Sequence, residues 1–164
     1  MRLYIACIAL LFSLAPIAKA LDDGTESLRG LSGVYVTMEN FTPATEQAGL
    51  TKGDVLTDVE LKLRLAGIPV LNEKQWLDTP GAPYLYLAIA VYNRDNGLWP
   101  FSISVSLMQR VVLERRPASG LFAATWSTDY LGSAGSTNIR SVRDNVKDQV
   151  DKFINAYLAV NPKK

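Results

Sequence analysis

Three neighbouring segments constrain this chain most, because each alternates with a period of two. Leu98–Glu114 sets Trp99, Phe101, Ile103, Val105 and Leu107 against Ser102, Ser104 and Ser106. Before it, Tyr84–Asn93 sets Leu85, Leu87, Ile89 and Val91 against Tyr84, Tyr86, Ala88, Ala90 and Tyr92. After it, Leu121–Tyr130 sets Phe122, Trp126 and Tyr130 against Thr125, Ser127 and Asp129. Successive side chains of a strand point to opposite faces, so each segment reads as a half-buried strand. Asn96-Gly97 supplies positive φ for a tight hairpin, and Arg115–Gly120 turns the chain again. The three make an antiparallel meander with one apolar face.

Earlier in the chain, Gly33–Phe41 alternates Val34, Val36 and Met38 against Tyr35, Thr37 and Glu39, a further half-buried strand. Pro43–Gly49 reads as a short turn of helix. Thr51 with Asp54 is a capping-box-like pair. Val55, Leu56, Val59, Leu63 and Ala66 then share one helical face, with Gly67 and Pro69 ending the helix. Ile68–Leu71 reads as a short strand. Pro69 lacks a ladder donor, so that strand should lie at an edge or pair loosely. Asn72–Pro83 reads as a loop with a turn at Glu73–Leu77, and Gly132–Ser136 as a flexible loop. The last helix carries Ile139, Val142, Val146, Val150, Phe153, Ile154 and Tyr157 as one stripe, capped by Ser136 or Thr137.

The order β-α-β-β-β-β-α predicts an α+β, two-layer sandwich. Its sheet is mainly antiparallel, of about five strands, with two helices on one face. The other sheet face is left for water or a partner.

Met1–Ala20 reads as a cleavable export signal. Arg2 precedes the apolar run Leu3–Leu14, and Ala18-Lys19-Ala20 is a small-x-small cleavage pattern. The run falls short of the roughly 20 residues that span a bilayer. No later segment reads as a transmembrane span. Leu21–Gly30 reads as a polar tether, and residues 31–164 as one domain. The location implied is periplasmic or secreted.

The chain has one cysteine, Cys7, and no histidine, so residues 21–164 contain neither. Ser-His-Asp and Cys-His catalysis, disulfides and ordinary zinc sites are thereby excluded from that region. Arg2 and Lys19 lie in the signal, leaving 15 of the 17 basic residues against 16 acidic ones. Such a balance lacks the basic footprint of nucleic-acid binding. No cofactor, metal or catalytic residue is assigned.

The candidate binding surface is the open sheet face. Alternation places Tyr35, Thr37, Glu39, Tyr84, Tyr86, Tyr92, Ser102, Ser104, Ser106, Thr125, Ser127 and Asp129 there. Tyrosine joins apolar area to a polar tip, which suits a glycan, a peptide or a protein. High β-propensity also puts Tyr and Thr on any half-exposed sheet. Glu39 and Asp129 would serve glycoside hydrolysis only at a separation of roughly 5–9.5 Å. The Gly132-x-x-Gly135 stretch before the last helix matches no nucleotide fingerprint. Leu61 and Leu65 lie off the main stripe of their helix and form a second apolar patch. Asp144, Asp148 and Asp151, interleaved with Arg140, Arg143, Lys147 and Lys152, read as a solvated helix face.

Leu31–Val36, Ala48–Thr51, Asp58–Ile68 and Asp151–Leu158 resemble a group of small exported bacterial proteins with no assigned activity. That resemblance covers most of residues 21–164 and transfers no catalytic motif. More distantly, the element order is similar to envelope modules such as the N-terminal domain of the TolB translocation protein, an analogy of topology. The expectation is a non-enzymatic binding or adaptor module for a protein or envelope component. It would act through its open face or through an edge strand such as Ile68–Leu71. The alternatives are a structural homo-oligomer packing two open faces together, and a carboxylate-dependent glycan hydrolase.

Overall fold

In the computed structural model, residues 24–94 and 96–162 are described. The signal segment, its cleavage point and the start of the tether lie outside them, as does Asp95 of the hairpin turn. The fold is α+β. Strands β1 (Tyr35–Met38), β2 (Tyr84–Val91), β3 (Leu98–Leu113) and β4 (Arg116–Gly135) form one sheet in the order β1-β2-β3-β4. Four helices accompany it among the described residues, where the sequence predicts two: α1 (Pro43–Gln47), α2 (Lys52–Leu65), α3 (Glu73–Asp78) and α4 (Val142–Val160).

The sheet departs from the sequence expectation in two ways. It has four strands, and it is mixed, because β1 runs parallel to β2 while the other pairs are antiparallel. A strand–helix–strand connection naturally carries a parallel pair, and α2 lies within that crossover. The expected Ile68–Leu71 strand shrinks to a single bridge between Val34 and Val70. Val34 donates to the Pro69 carbonyl at 3.0 Å, and Leu71 donates back to the Val34 carbonyl at 2.9 Å. Gly33 permits that approach: a Cβ there would stand 2.7 Å from the Pro69 oxygen.

The helices form where capping and stripe agree. The Thr51 hydroxyl accepts from the Asp54 amide at 3.2 Å to open α2, and Gly67 (φ +82°) follows its end. Val55, Val59 and Leu63 of α2 are buried beside Val146, Val150 and Phe153 of α4. These two helices cover the face of the sheet that carries Val36, Leu85, Leu87, Ile103, Val105 and Leu107. Helix α4 starts later than expected. Ser136–Ser141 is a 3₁₀ turn, and Ser141 caps α4 without a side-chain bond.

The segment expected to be a tether belongs to the fold from Gly24 onward. Thr25–Leu28 is a 3₁₀ turn whose Leu28 is fully buried. Asn161 donates to the Leu28 carbonyl at 2.9 Å and accepts from the Gly30 amide at 2.7 Å. Two polar side chains of the stretch add to these ties: Ser27 donates to the Thr125 carbonyl and Arg29 to the Val160 carbonyl, each at 3.3 Å.

The charged face of α4 is also more than solvated surface. Arg143 grips Asp58 of α2 in a two-pronged bond (2.8 and 2.9 Å), and Lys62 meets Asp151 at 2.6 Å. The hydrogen bond from Arg143 holds the Asp58 carboxyl below its ordinary pKa, against burial, with the charges of Arg143 and Lys147 adding. A depressed carboxyl stabilises the fold above its unfolded pKa, and that contribution is lost as pH falls through the folded value. Arg143→Met is therefore expected to cost about 1 kcal/mol at pH 7. The gap to the parent protein should begin to narrow near about pH 4, where the unfolded carboxyl titrates, and close only as pH falls through the lower folded value. Urea denaturation of both proteins at pH 7 and pH 2.5 reads this directly.

Candidate functional site

The uncovered sheet face is laid out in rows set by the strand register. One row runs Tyr35, Tyr84, Met108, Ala124; the next runs Thr37, Tyr86, Ser106, Ser127. Then come Ala88, Ser104, Asp129, and after them Ala90, Ser102, Leu131. Glu39 follows the last residue of β1, and one step beyond the Met38–Leu87 pair it falls at the Ala88 row. The small residues Ala88, Ala90, Ser102 and Ser104 floor a shallow concavity of about 640 Å³. Glu39 and Asp129 stand at its ends, and Leu131 forms part of its rim.

Ten of the twelve residues expected on this face are brought together there. Two are not. Tyr92 lies one residue past β2, is 62% exposed, and borders a separate recess with Asn40 and Thr42. Thr125 sits where the β3–β4 register shifts: Leu107 pairs with Trp126, but Met108 pairs with Ala124. This β-bulge inserts Thr125 as an extra residue. Its hydroxyl accepts from Gln109 at 2.8 Å, and its carbonyl accepts from Ser27. The bulge also inverts the alternation before it. Phe122, expected on the core side, comes to the open face with its ring 5.7 Å from that of Tyr84.

An aromatic wall adjoins the concavity. The Trp76 ring of α3 stacks on Tyr35 (5.3 Å, 21°) and meets Tyr84 edge-on (5.7 Å, 82°). The indole N–H donates to the Ala82 carbonyl at 2.6 Å. Ala82 holds φ +41°, a left-handed backbone unusual for a residue with a Cβ, so this turn stores strain to present its carbonyl. Trp76 was legible in one respect. Asn72 and Gln75 form a reciprocal capping box, and that spacing marks a helix start. Leu131 was missed because β4 continues past Tyr130 to Gly135.

Tyr86 joins the wall to the concavity. Its hydroxyl donates to Glu39 Oε1 at 3.0 Å. That bond, with burial and the Glu39 charge, pushes the phenol above its ordinary pKa, so it stays a protonated donor. Glu39 and Asp129 stand at opposite ends of the sheet's width, three inter-strand steps or about 14 Å apart at the backbone. Between them lies the floor of Ala88 and Ser104. The arrangement offers stacking surface, hydroxyl donors and two separate carboxylates.

Leu61 and Leu65 remain well exposed on α2, far from this face's chemistry. Among the described residues, no helix is long and apolar enough to cross a membrane. No group of three or more acidic side chains among them is placed to hold a metal ion. No known protein family matches the chain by its sequence pattern, and no curated protein matches it.

Proposed function

We propose that this chain is an exported, non-enzymatic binding module that takes a protein or envelope component on its open sheet face. The observation that carries this is the small-residue floor of Ala88, Ala90, Ser102 and Ser104, fenced by Glu39, Asp129 and Leu131. Small side chains on two adjacent central strands let a ligand approach the sheet closely. The rigid Tyr35–Trp76–Tyr84 stack beside them offers large contact area at little conformational cost. What favours binding over catalysis is the disposition of the carboxylates. Glu39 is engaged by Tyr86, and two strands separate it from Asp129.

A photo-cross-linker at Ser104 or Tyr86, in cells exporting the protein, is expected to give a discrete adduct. The same probe at Asp148, exposed on α4, is expected to give none. Equal labelling from all three positions, or none from the sheet face, would reject this surface.

A further inference from the structure

We propose that the free edge of β4 pairs, antiparallel and about a two-fold axis at Leu131, with the β4 edge of a second copy of this chain. The two edges of the sheet are treated differently. On the β1 side, the strand is only four residues long, and the Val34–Val70 bridge engages the residue just before it. On the β4 side, no described residue hydrogen-bonds to the outward backbone of Ser127–Gly135.

The direction of those backbone groups follows from one bond. Tyr92 N–H donates to the Pro100 carbonyl, so even-numbered β3 residues address β2 and odd-numbered ones address β4. Their partners on β4, from Trp126 to Ala134, are even-numbered. Ser127, Asp129, Leu131, Ser133 and Gly135 therefore turn both backbone groups outward. Natural edges of this length are blunted by lysine, proline or inward charge. Between Trp126 and Gly135 there is no lysine and no proline, and Asp129 is the one charged residue.

Charge and reach select the partner and the register. An axis at Asp129 would set two carboxylates opposite each other and run into the Thr125 bulge, whose carbonyl already accepts from Ser27. An axis at Leu131 instead pairs Asp129 with Ser133 and Ser127 with Gly135. It uses the whole free stretch and forms about ten backbone hydrogen bonds, two per narrow pair. It also brings together the two Leu131 side chains, each 80% exposed in the single chain. The product is a continuous sheet of both copies, with the two concavities meeting at the seam.

Residues 21–164, which contain every element described, would be examined by analytical ultracentrifugation from about 1 to 200 µM. The parent protein is expected to reach the mass of a dimer. Leu131→Lys should weaken the dimer at least tenfold. So should Ser133→Pro, which removes only an outward N–H and spares the ladder to β3. Tyr86→Ala, on the open face, should leave the dimer unchanged. Because this region has no native cysteine, a short thiol cross-linker should join copies carrying Leu131→Cys and not those carrying Ser127→Cys. A monomer at every concentration overturns the proposal. So does a dimer indifferent to both edge variants with circular dichroism unchanged, or cross-linking at Ser127 in place of Leu131. A monomer that still labels from Ser104 would overturn the dimer alone and leave the binding face standing.

Discussion

Phe153→Ala is expected to destabilise the protein by about 3–5 kcal/mol, the usual range for emptying a buried phenyl site. Phe153 is fully buried in the middle of the α4 stripe. Its ring meets Trp126 of β4 edge-on at 5.4 Å and lies 6.5 Å from that of Tyr157. Tyr157 in turn donates to the Leu31 carbonyl at 3.1 Å, so Phe153 ties α4 to the sheet and supports the ring that ties it to the N-terminal segment. The loss should therefore exceed that of Arg143→Met several-fold, because the Asp58–Arg143 pair is partly solvated and the phenyl is not. Against a total stability of about 5–15 kcal/mol, roughly a fifth or more would vanish from one side chain. Urea denaturation at pH 7 measures it, and a loss below about 1 kcal/mol would mean that α4 is seated by its ion pairs instead.

That helix was legible in the sequence because its stripe repeats for five turns, and periodic burial is what a helix stripe encodes. The β2–β3 hairpin was legible for the same reason, with Asn96-Gly97 marking its turn. The features that escaped are those without a period. The bulge at Thr125 adds one residue to β4, and nothing in Ala124-Thr125-Trp126 announces it. Strict alternation therefore carried Phe122 to the core side and Thr125 to the open face. The parallel pairing of β1 with β2 depends on where α2 lands, a long-range matter that local alternation in Tyr35–Met38 does not record. Pro69 foretold a weak edge correctly, but the strand's reduction to one bridge depends on how closely Gly33 passes it. Most of the candidate face was nevertheless readable, since nine of its twelve residues sit on regular stretches of strand and Glu39 directly follows one. Its aromatic wall was not, because a six-residue helix is too short to show a stripe, and only the Asn72–Gln75 spacing betrays it.

Ser104→Arg should abolish capture at the open face, lowering affinity for the species cross-linked there at least tenfold, or about 1.4 kcal/mol. Ser104 is half-buried on the central strand β3, between Ala88 and Asp129 in its row. A long cationic side chain would fill the floor and set a positive charge beside Asp129. The fold should tolerate it within about 0.5 kcal/mol, since the residue faces away from the helices and breaks no ladder bond. Ser104→Ala is the control, because it keeps the floor shallow and removes one hydroxyl. It should change capture by no more than about fivefold, the worth of one ordinary hydrogen bond. Tyr86→Ala should lie between them, as it takes away both wall area and the donor that orients Glu39. The order of the three variants distinguishes shape from polarity. If Ser104→Ala were as damaging as Ser104→Arg, the hydroxyls rather than the open floor would be what the partner reads. If neither mattered while the folded state was retained, the partner would bind elsewhere on the molecule.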